Sequence, residues 1–334
     1  MKVYINGISY YLPERILSNE DINREHPEWD VEKITQKTGI QERHIAAREE
    51  FSSDMAVKAA EKFFDEYHIN RKDIDFLLLC TQSPDYFLPT TACSVQRRLD
   101  LPTSIGALDF NLGCSGFTYG LSMAKGLIAS NMGKNVLLIT SETYSKFIHP
   151  KDKSNKTIFG DAAAATLISG EKGIWEVGEF VFGTDGEGLN NLIVRNGGMR
   201  YKNTSGTDIY DENNQYVKNE DNLFMDGAAI FSFSSDAVPK LIDDVLAKNN
   251  MQESEVDYYV LHQANRYMLE FIRRKAKIDP SKFIYYLQNV GNTVSSTIPI
   301  ALAEKCINTE NAKILLAGFG VGYSWCGCII KSVK

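Results

Sequence analysis

The stretch Asp109-Phe110-Asn111-Leu112-Gly113-Cys114-Ser115-Gly116-Phe117 decides the fold. Ahead of it, Ser104-Ile105-Gly106-Ala107-Leu108 is short and mostly apolar. Behind it, Phe117, Leu121, Ala124 and Ile128 recur at helical spacing, so the whole reads as a buried strand, a sharp turn and a helix. Cys114 then stands at or next to a helix N-terminus, where unpaired N–H groups and the positive end of the helix dipole favour a thiolate. Gly113, Ser115 and Gly116 are small enough to let a carbonyl group approach. This arrangement suits a nucleophile, and a small apolar core residue is the other reading of a free cysteine.

Outward from this unit the chain alternates helices with apolar strands. Residues 34–39 read as a short helix and 39–44 as a turn, while 53–67 form an amphipathic helix capped by Ser53 or Asp54, with Met55, Ala59, Phe63 and Tyr67 on one side. Residues 74–81 make a strand apolar on both faces, 88–93 open a helix reaching about 99, and 136–140 form another strand before a loop over 144–157 and the apolar run 161–169. Such alternation predicts an α/β layered fold. Residues 171–222, rich in Gly, Asn and Asp, are expected to hold loops and a long hairpin between two halves, and 227–249 a helix. From residue 256 onward the chain repeats its first half. Val256-Asp257-Tyr258-Tyr259-Val260-Leu261-His262-Gln263 aligns with Ile74-Asp75-Phe76-Leu77-Leu78-Leu79-Cys80-Thr81, and Lys313-Ile314-Leu315-Leu316-Ala317-Gly318 with Asn135-Val136-Leu137-Leu138-Ile139-Thr140. Two matches in the same order predict an internal duplication, with halves at 1–170 and 171–334.

Composition narrows the function. The 334 residues carry a net charge of −7, which gives no support to a nucleic-acid or membrane-surface partner. The start, Met1-Lys2-Val3-Tyr4-Ile5-Asn6-Gly7, reads as a first strand, and no apolar stretch approaches a bilayer span, so a cytoplasmic protein is expected. Six cysteines scattered through so long a chain predict reduced thiols.

Several strand ends could carry chemistry. The strand 256–261 ends on His262, and groups at the carboxyl ends of strands in α/β sheets face the ligand crevice; a satisfied structural histidine is the alternative. A strand over 283–287 runs into Asn289-Val290-Gly291-Asn292-Thr293, a turn that presents the Asn292 amide before a helix over 297–306. Gly318-Phe319-Gly320-Val321-Gly322-Tyr323 is a bend where a backbone N–H could complete an oxyanion hole, or simply a tight hairpin. No G-x-G-x-x-G opens a helix after a strand. Cys326 and Cys328 face one way on an apolar strand and read as core rather than metal ligands. In the helix after His262, Arg266, Arg273 and Lys277 share one face, a local positive patch suited to an anionic partner or merely solvated.

With Gly113-Cys114-Ser115-Gly116-Phe117-Thr118-Tyr119, His262-Gln263-Ala264-Asn265 and Gly291-Asn292-Thr293, the chain resembles the β-ketoacyl-acyl carrier protein synthase III family. The resemblance extends to Thr38-Gly39-Ile40 with Glu42-Arg43-His44-Ile45-Ala46, to Phe159-Gly160-Asp161, and to the ending over 318–325. It implies the thiolase fold, two related α/β halves in a five-layered α-β-α-β-α body, usually a homodimer. It implies an acyl-accepting nucleophile at Cys114 and a malonyl-activating pair at His262 and Asn292. The oxyanion hole falls to the backbone N–H groups of Cys114 and Val321, and Phe319 flanks the decarboxylation site. No cofactor is implied beyond the thioester substrates, acyl-coenzyme A and acyl carrier protein.

Some positions depart from the family pattern. Lys33 stands where many members stack a Trp on the adenine of coenzyme A, and Lys37 and Lys153 replace basic positions usually held by Arg. Lysine reproduces neither planar stacking nor a bidentate phosphate contact. Leu88 occupies the pocket-floor position where a partner subunit often supplies an aromatic ring, which leaves space for a longer or branched primer. The usual Arg after the histidine is displaced by one residue, as Arg266. Transfer of the acyl group to an amine or hydroxyl without decarboxylation, or a silent partner subunit, are the other functions compatible with the resemblance. Thiolase is disfavoured, since it uses a second cysteine as base where this chain has His262 and Asn292.

Overall fold

Leu77, Leu78, Leu79 and Cys80 are successive residues and all fully buried, which a strand achieves only when both its faces are covered. The computed structural model, which describes residues 1–333, covers them with helices on either side. In chain order the first half supplies β1 (Tyr4–Tyr11), β2 (Arg15–Ser18), α1 (Asn19–Glu25), α2 (Val31–Thr38), β3 (Glu42–Ile45), α3 (Ser52–Tyr67), β4 (Phe76–Cys80), α4 (Thr91–Arg98), β5 (Gly106–Phe110), α5 (Gly116–Ala129), β6 (Asn135–Glu142), α6 (Lys153–Lys156) and β7 (Ala162–Ser169). The second supplies β8 (Trp175–Thr184), β9 (Leu192–Ile193), β10 (Ile209–Tyr210), β11 (Tyr216–Lys218), β12 (Phe224–Met225), α7 (Gly227–Lys248), β13 (Tyr258–Leu261), α8 (Arg266–Lys275), α9 (Thr297–Lys305), β14 (Lys313–Gly320) and β15 (Ser324–Ser332).

Among the described residues the main sheet has nine strands in the order β13-β14-β15-β8-β1-β7-β6-β4-β5. Its two wings enclose a helical centre: α5 packs on β4, β6 and β7 and also on β14 and β15, and α9 on β1, β7 and β13. Outside, α3 and α4 cover the first wing and α7 the second, with α8 packed on α7. This is the five-layered α-β-α-β-α body expected of the thiolase fold. The pairing repeats as well. In the first half β4 runs parallel to β6 with Phe76 opposite Val136, and in the second β13 runs parallel to β14 with Tyr258 opposite Ile314. Those are the residues the sequence alignment made equivalent.

Four expectations need correction. Residues 175–184 form β8, a long strand of the main sheet between β15 and β1, rather than part of a hairpin; only the later ladders β9/β12 and β10/β11 are small and local. The expected strand over 283–287 shrinks to one parallel bridge from Phe283 to Tyr259, since the chain turns away at once toward Asn292. α3 begins at Ser52, because Ser52 Oγ is drawn inward to the Ser83 carbonyl at 2.7 Å, and Asp54 instead reaches back to the Phe51 N–H at 2.8 Å. α8 ends at Lys275, so Lys277 lies beyond it, with a positive φ of 57°, and shares no helical face with Arg266.

Candidate active site

Cys114 lies in the turn between β5 and α5, two residues before the helix begins, and the turn is closed by the Gly116 N–H on the Gly113 carbonyl at 2.8 Å. A Cβ at 113 would meet Gln82 Oε1 at 2.5 Å and Val321 Cγ1 at 2.8 Å, so a larger residue there would push both side chains aside. The backbone N–H groups of Cys114 and Val321 lie beside the Cys114 sulfur and favour its ionised form. They are the two donors expected to form the oxyanion hole.

The charge state differs from the sequence expectation. Burial and the nearby Glu142 carboxyl push the Cys114 thiol up to about 12, while the two N–H groups pull it back. Burial and Glu142 therefore outweigh the two N–H groups and favour the thiol in the resting site.

His262 follows β13 directly, and its N–H is fixed on the Ala317 carbonyl of β14 at 2.9 Å. Burial lowers its imidazole to about 3, with a hydrogen bond to the Val294 backbone opposing the shift, so the ring is neutral. Nδ1 lies 2.8 Å from Thr297 Oγ1 at the start of α9, and the ring of Phe319 meets the imidazole edge-on at 5.6 Å. Asn292 is held through its backbone: its N–H donates to the Ile158 carbonyl at 2.9 Å and its carbonyl accepts from the Gly160 N–H at 3.0 Å. Gly291 adopts φ 71°, and a Cβ there would meet the Ile158 carbonyl oxygen at 2.9 Å. Val294 also has a positive φ, 56°, a costly conformation for a β-branched residue. It carries the Val294 N–H to Asn292 Oδ1 at 2.9 Å, which turns the amide nitrogen toward His262 Nε2, 3.5 Å away.

Cys114, His262, Asn292 and Phe319 line one cavity of about 680 Å³ together with Lys33, Lys37 and Lys153. The three lysines are exposed, with Lys33 Nζ 3.1 Å from Asp30 and Lys153 Nζ 5.8 Å from the centre of the Trp29 ring. Leu88 is not in this cavity; it is 82% exposed beside Phe87 and Tyr86, also exposed. Arg266 is exposed, its guanidinium 4.2 Å over the Tyr285 ring, whereas Arg273 is turned to Glu270 at 3.0 Å and the Ile278 carbonyl at 2.8 Å. Cys326 and Cys328 are fully buried, and among the described residues no cluster of three His, Cys, Asp or Glu could hold a metal ion.

The burial of two ionisable side chains escaped sequence reading. Glu142, the last residue of β6, accepts the Gln82 N–H on both oxygens at 3.0 and 3.1 Å and the hydroxyls of Ser83 at 3.0 Å and Ser295 at 3.3 Å. Burial and Asp161 raise its carboxyl to about 8. Arg43, fully buried, donates to the Leu17 and Thr157 carbonyls at 3.1 and 2.7 Å and to Asn19 Oδ1 at 2.8 Å, so it braces the segment on which Asn292 hangs. The Glu42-Arg43-His44 run was visible as a motif, but its burial was not.

The family model described as 3-oxoacyl-[acyl-carrier-protein] synthase III matches residues 108–186, and its C-terminal counterpart matches 246–332. A β-ketoacyl-[acyl-carrier-protein] synthase III of Halalkalibacterium halodurans is 35% identical over 99% of this chain and 96% of its own. That of Lactococcus lactis is 35% identical over 98% of each chain. Among solved structures, a 3-oxoacyl-(acyl-carrier-protein) synthase III superposes with a TM-score of 0.95 at 45% identity, covering 99% of both chains. The 3-oxoacyl-(acyl-carrier-protein) synthase of Burkholderia xenovorans gives 0.90 at 32% identity over 100% of this chain and 95% of its own.

Proposed function

This chain belongs to the 3-oxoacyl-[acyl-carrier-protein] synthase III family, and on that premise we propose the roles its residues take in joining an acyl primer to malonyl-acyl carrier protein at the start of fatty acid synthesis. Cys114, on half 1–170, is the nucleophile, and His262 and Asn292, on half 171–334, activate the malonyl thioester. The reading is supported above all by the convergence of these three side chains on one cavity, with two backbone N–H groups beside the sulfur.

In the first half-reaction the primer's carbonyl oxygen accepts from the Cys114 and Val321 N–H groups, so charge that develops on that oxygen meets fixed donors. The Cys114 sulfur forms the new C–S bond, the bond to the carrier thiol breaks, and the thiol proton leaves on the departing sulfur. In the second, the malonyl thioester oxygen accepts from His262 and Asn292. The C–C bond to the carboxylate breaks, CO2 leaves, and the electron pair is held as an enolate. The apolar Phe319 ring beside His262 disfavours the carboxylate and not the neutral CO2. The enolate carbon attacks the acyl carbon, the C–S bond to Cys114 breaks, and the sulfur takes a proton from solvent.

The substrates on this reading are acyl-coenzyme A or acyl carrier protein and malonyl-acyl carrier protein. The exposed Lys33, Lys37 and Lys153 supply positive charge for a phosphate-bearing arm, and the exposed Arg266 for the carrier's acidic surface. The exposed run Tyr86-Phe87-Leu88 suits burial in a homodimer, with Leu88 reaching toward the partner's primer pocket. Intact-mass spectrometry after exposure to acyl thioesters, then a chase with malonyl-acyl carrier protein, tests the roles. An adduct on Cys114 that is chased off with CO2 and a β-ketoacyl carrier protein is expected; an adduct that survives the chase would overturn them.

A further inference from the structure

Burial keeps the His262 ring neutral, so only one of its nitrogens carries a hydrogen at a time. The neighbours decide which. Thr297 Oγ1 donates its single hydrogen to the Val294 carbonyl at 3.0 Å, so in its 2.8 Å contact with Nδ1 it is the acceptor, and Nδ1 carries the hydrogen. Nε2 is then a bare lone pair facing the cavity. The other side of the ring agrees: Asn292 Oδ1 is occupied by the Val294 N–H, so Asn292 Nδ2 points a hydrogen at Nε2 from 3.5 Å. The resting arrangement therefore presents an acceptor where the malonyl thioester oxygen needs a donor.

We infer that Thr297 is a positioning residue whose hydroxyl sets the tautomer of His262, accepting from Nδ1–H in the resting site and turning to donate to Nδ1 when Nε2–H is needed for decarboxylation. A hydroxyl is suited to this because it accepts or donates by rotating about one bond. The Val294 carbonyl, which takes the Thr297 hydrogen in the resting site, can only accept. The exchange takes one hydrogen off Nδ1 and puts one on Nε2, both traded with solvent, and leaves the ring neutral. The substrate oxygen, which can bond only to the donor form, selects it. Nε2–H of His262 and Nδ2–H of Asn292 then converge on one oxygen. The inference rests on the role given to His262 above.

The test separates the half-reactions in two variants. Thr297→Val keeps the shape and removes the hydroxyl that can donate to Nδ1. Acyl transfer to Cys114, read by intact mass, should persist, while CO2 release from malonyl-acyl carrier protein falls on the order of a hundredfold, the loss typical of one oxyanion donor. Thr297→Ser should restore it. Decarboxylation by Thr297→Val at the wild-type rate, or equal loss of both half-reactions, overturns the inference. If Thr297→Val does not fold, 15N NMR of the wild-type ring with and without an amide analogue of malonyl-pantetheine decides: a hydrogen that moves from Nδ1 to Nε2 supports the switch, and the same tautomer in both states overturns it. Normal decarboxylation by His262→Ala would instead sink the role of His262 itself.

Discussion

Ser295 Oγ donates to Glu142 Oε1 at 3.3 Å, a bond between the half that carries Cys114 and the half that carries Asn292. The carboxyl accepting it has only neutral donors around it, with Cys80, Cys114, Tyr144 and Asp161 as its titratable neighbours. Burial raises Glu142 from 4.5 to about 8, so folding binds its proton more tightly than the unfolded chain does. This contribution is free of penalty below the unfolded value and is lost as pH rises toward the folded one. Glu142→Gln should therefore gain stability relative to wild type as pH rises from 4.5 to about 8, apart from a constant offset. Denaturant unfolding at several pH values measures it, and parallel curves would contradict it.

Cys114→Ala exchanges a buried thiol for a methyl group, so the fold should survive while acyl transfer vanishes. Circular dichroism with intact-mass analysis reads both, and a primer still condensed by this variant would remove Cys114 from its role.

His262→Ala is expected to acquire an acyl group yet fail to release CO2, because the imidazole faces the malonyl oxygen and the oxyanion hole is made of backbone. Single-turnover measurements of each half-reaction give the split; equal losses in both would argue against it.

Gly320→Ala would place a Cβ 2.9 Å from both Cβ and Sγ of Cys114. The Cys114 side chain must shift, so acylation should fall at least about tenfold for a stability cost of about 1–3 kcal/mol, the usual range for overpacking. Acylation at the wild-type rate would show that the site has room there.

Asp109, just ahead of the Cys114 turn, accepts the Thr91 and Ala92 N–H groups at 2.6 and 2.7 Å, and so caps α4 from a neighbouring strand. Asp109→Ala should cost about 1–2 kcal/mol, as lost helix caps do, measured by urea unfolding. No change in the midpoint would mean the helix end finds another acceptor.

By itself the sequence determined what is local and periodic. Apolar runs marked β4, β6, β13 and β14, and their likeness in pairs made Phe76 equivalent to Tyr258 and Val136 to Ile314, the residues that occupy matching rungs of the two wings. Motif residues marked Cys114, His262 and Asn292. Tertiary structure alone decided the rest, because it depends on which distant loops meet and on how much water they exclude. Glu142 and Arg43 look like surface charges until loops from elsewhere in the chain enclose them. Thr297 is an ordinary first residue of a helix until β13 brings His262 Nδ1 to 2.8 Å. Cys114 has the setting of a thiolate in one dimension and is a thiol in three, since the cost of burying a charge grows with every layer packed over it, and no pattern along the chain records that cost.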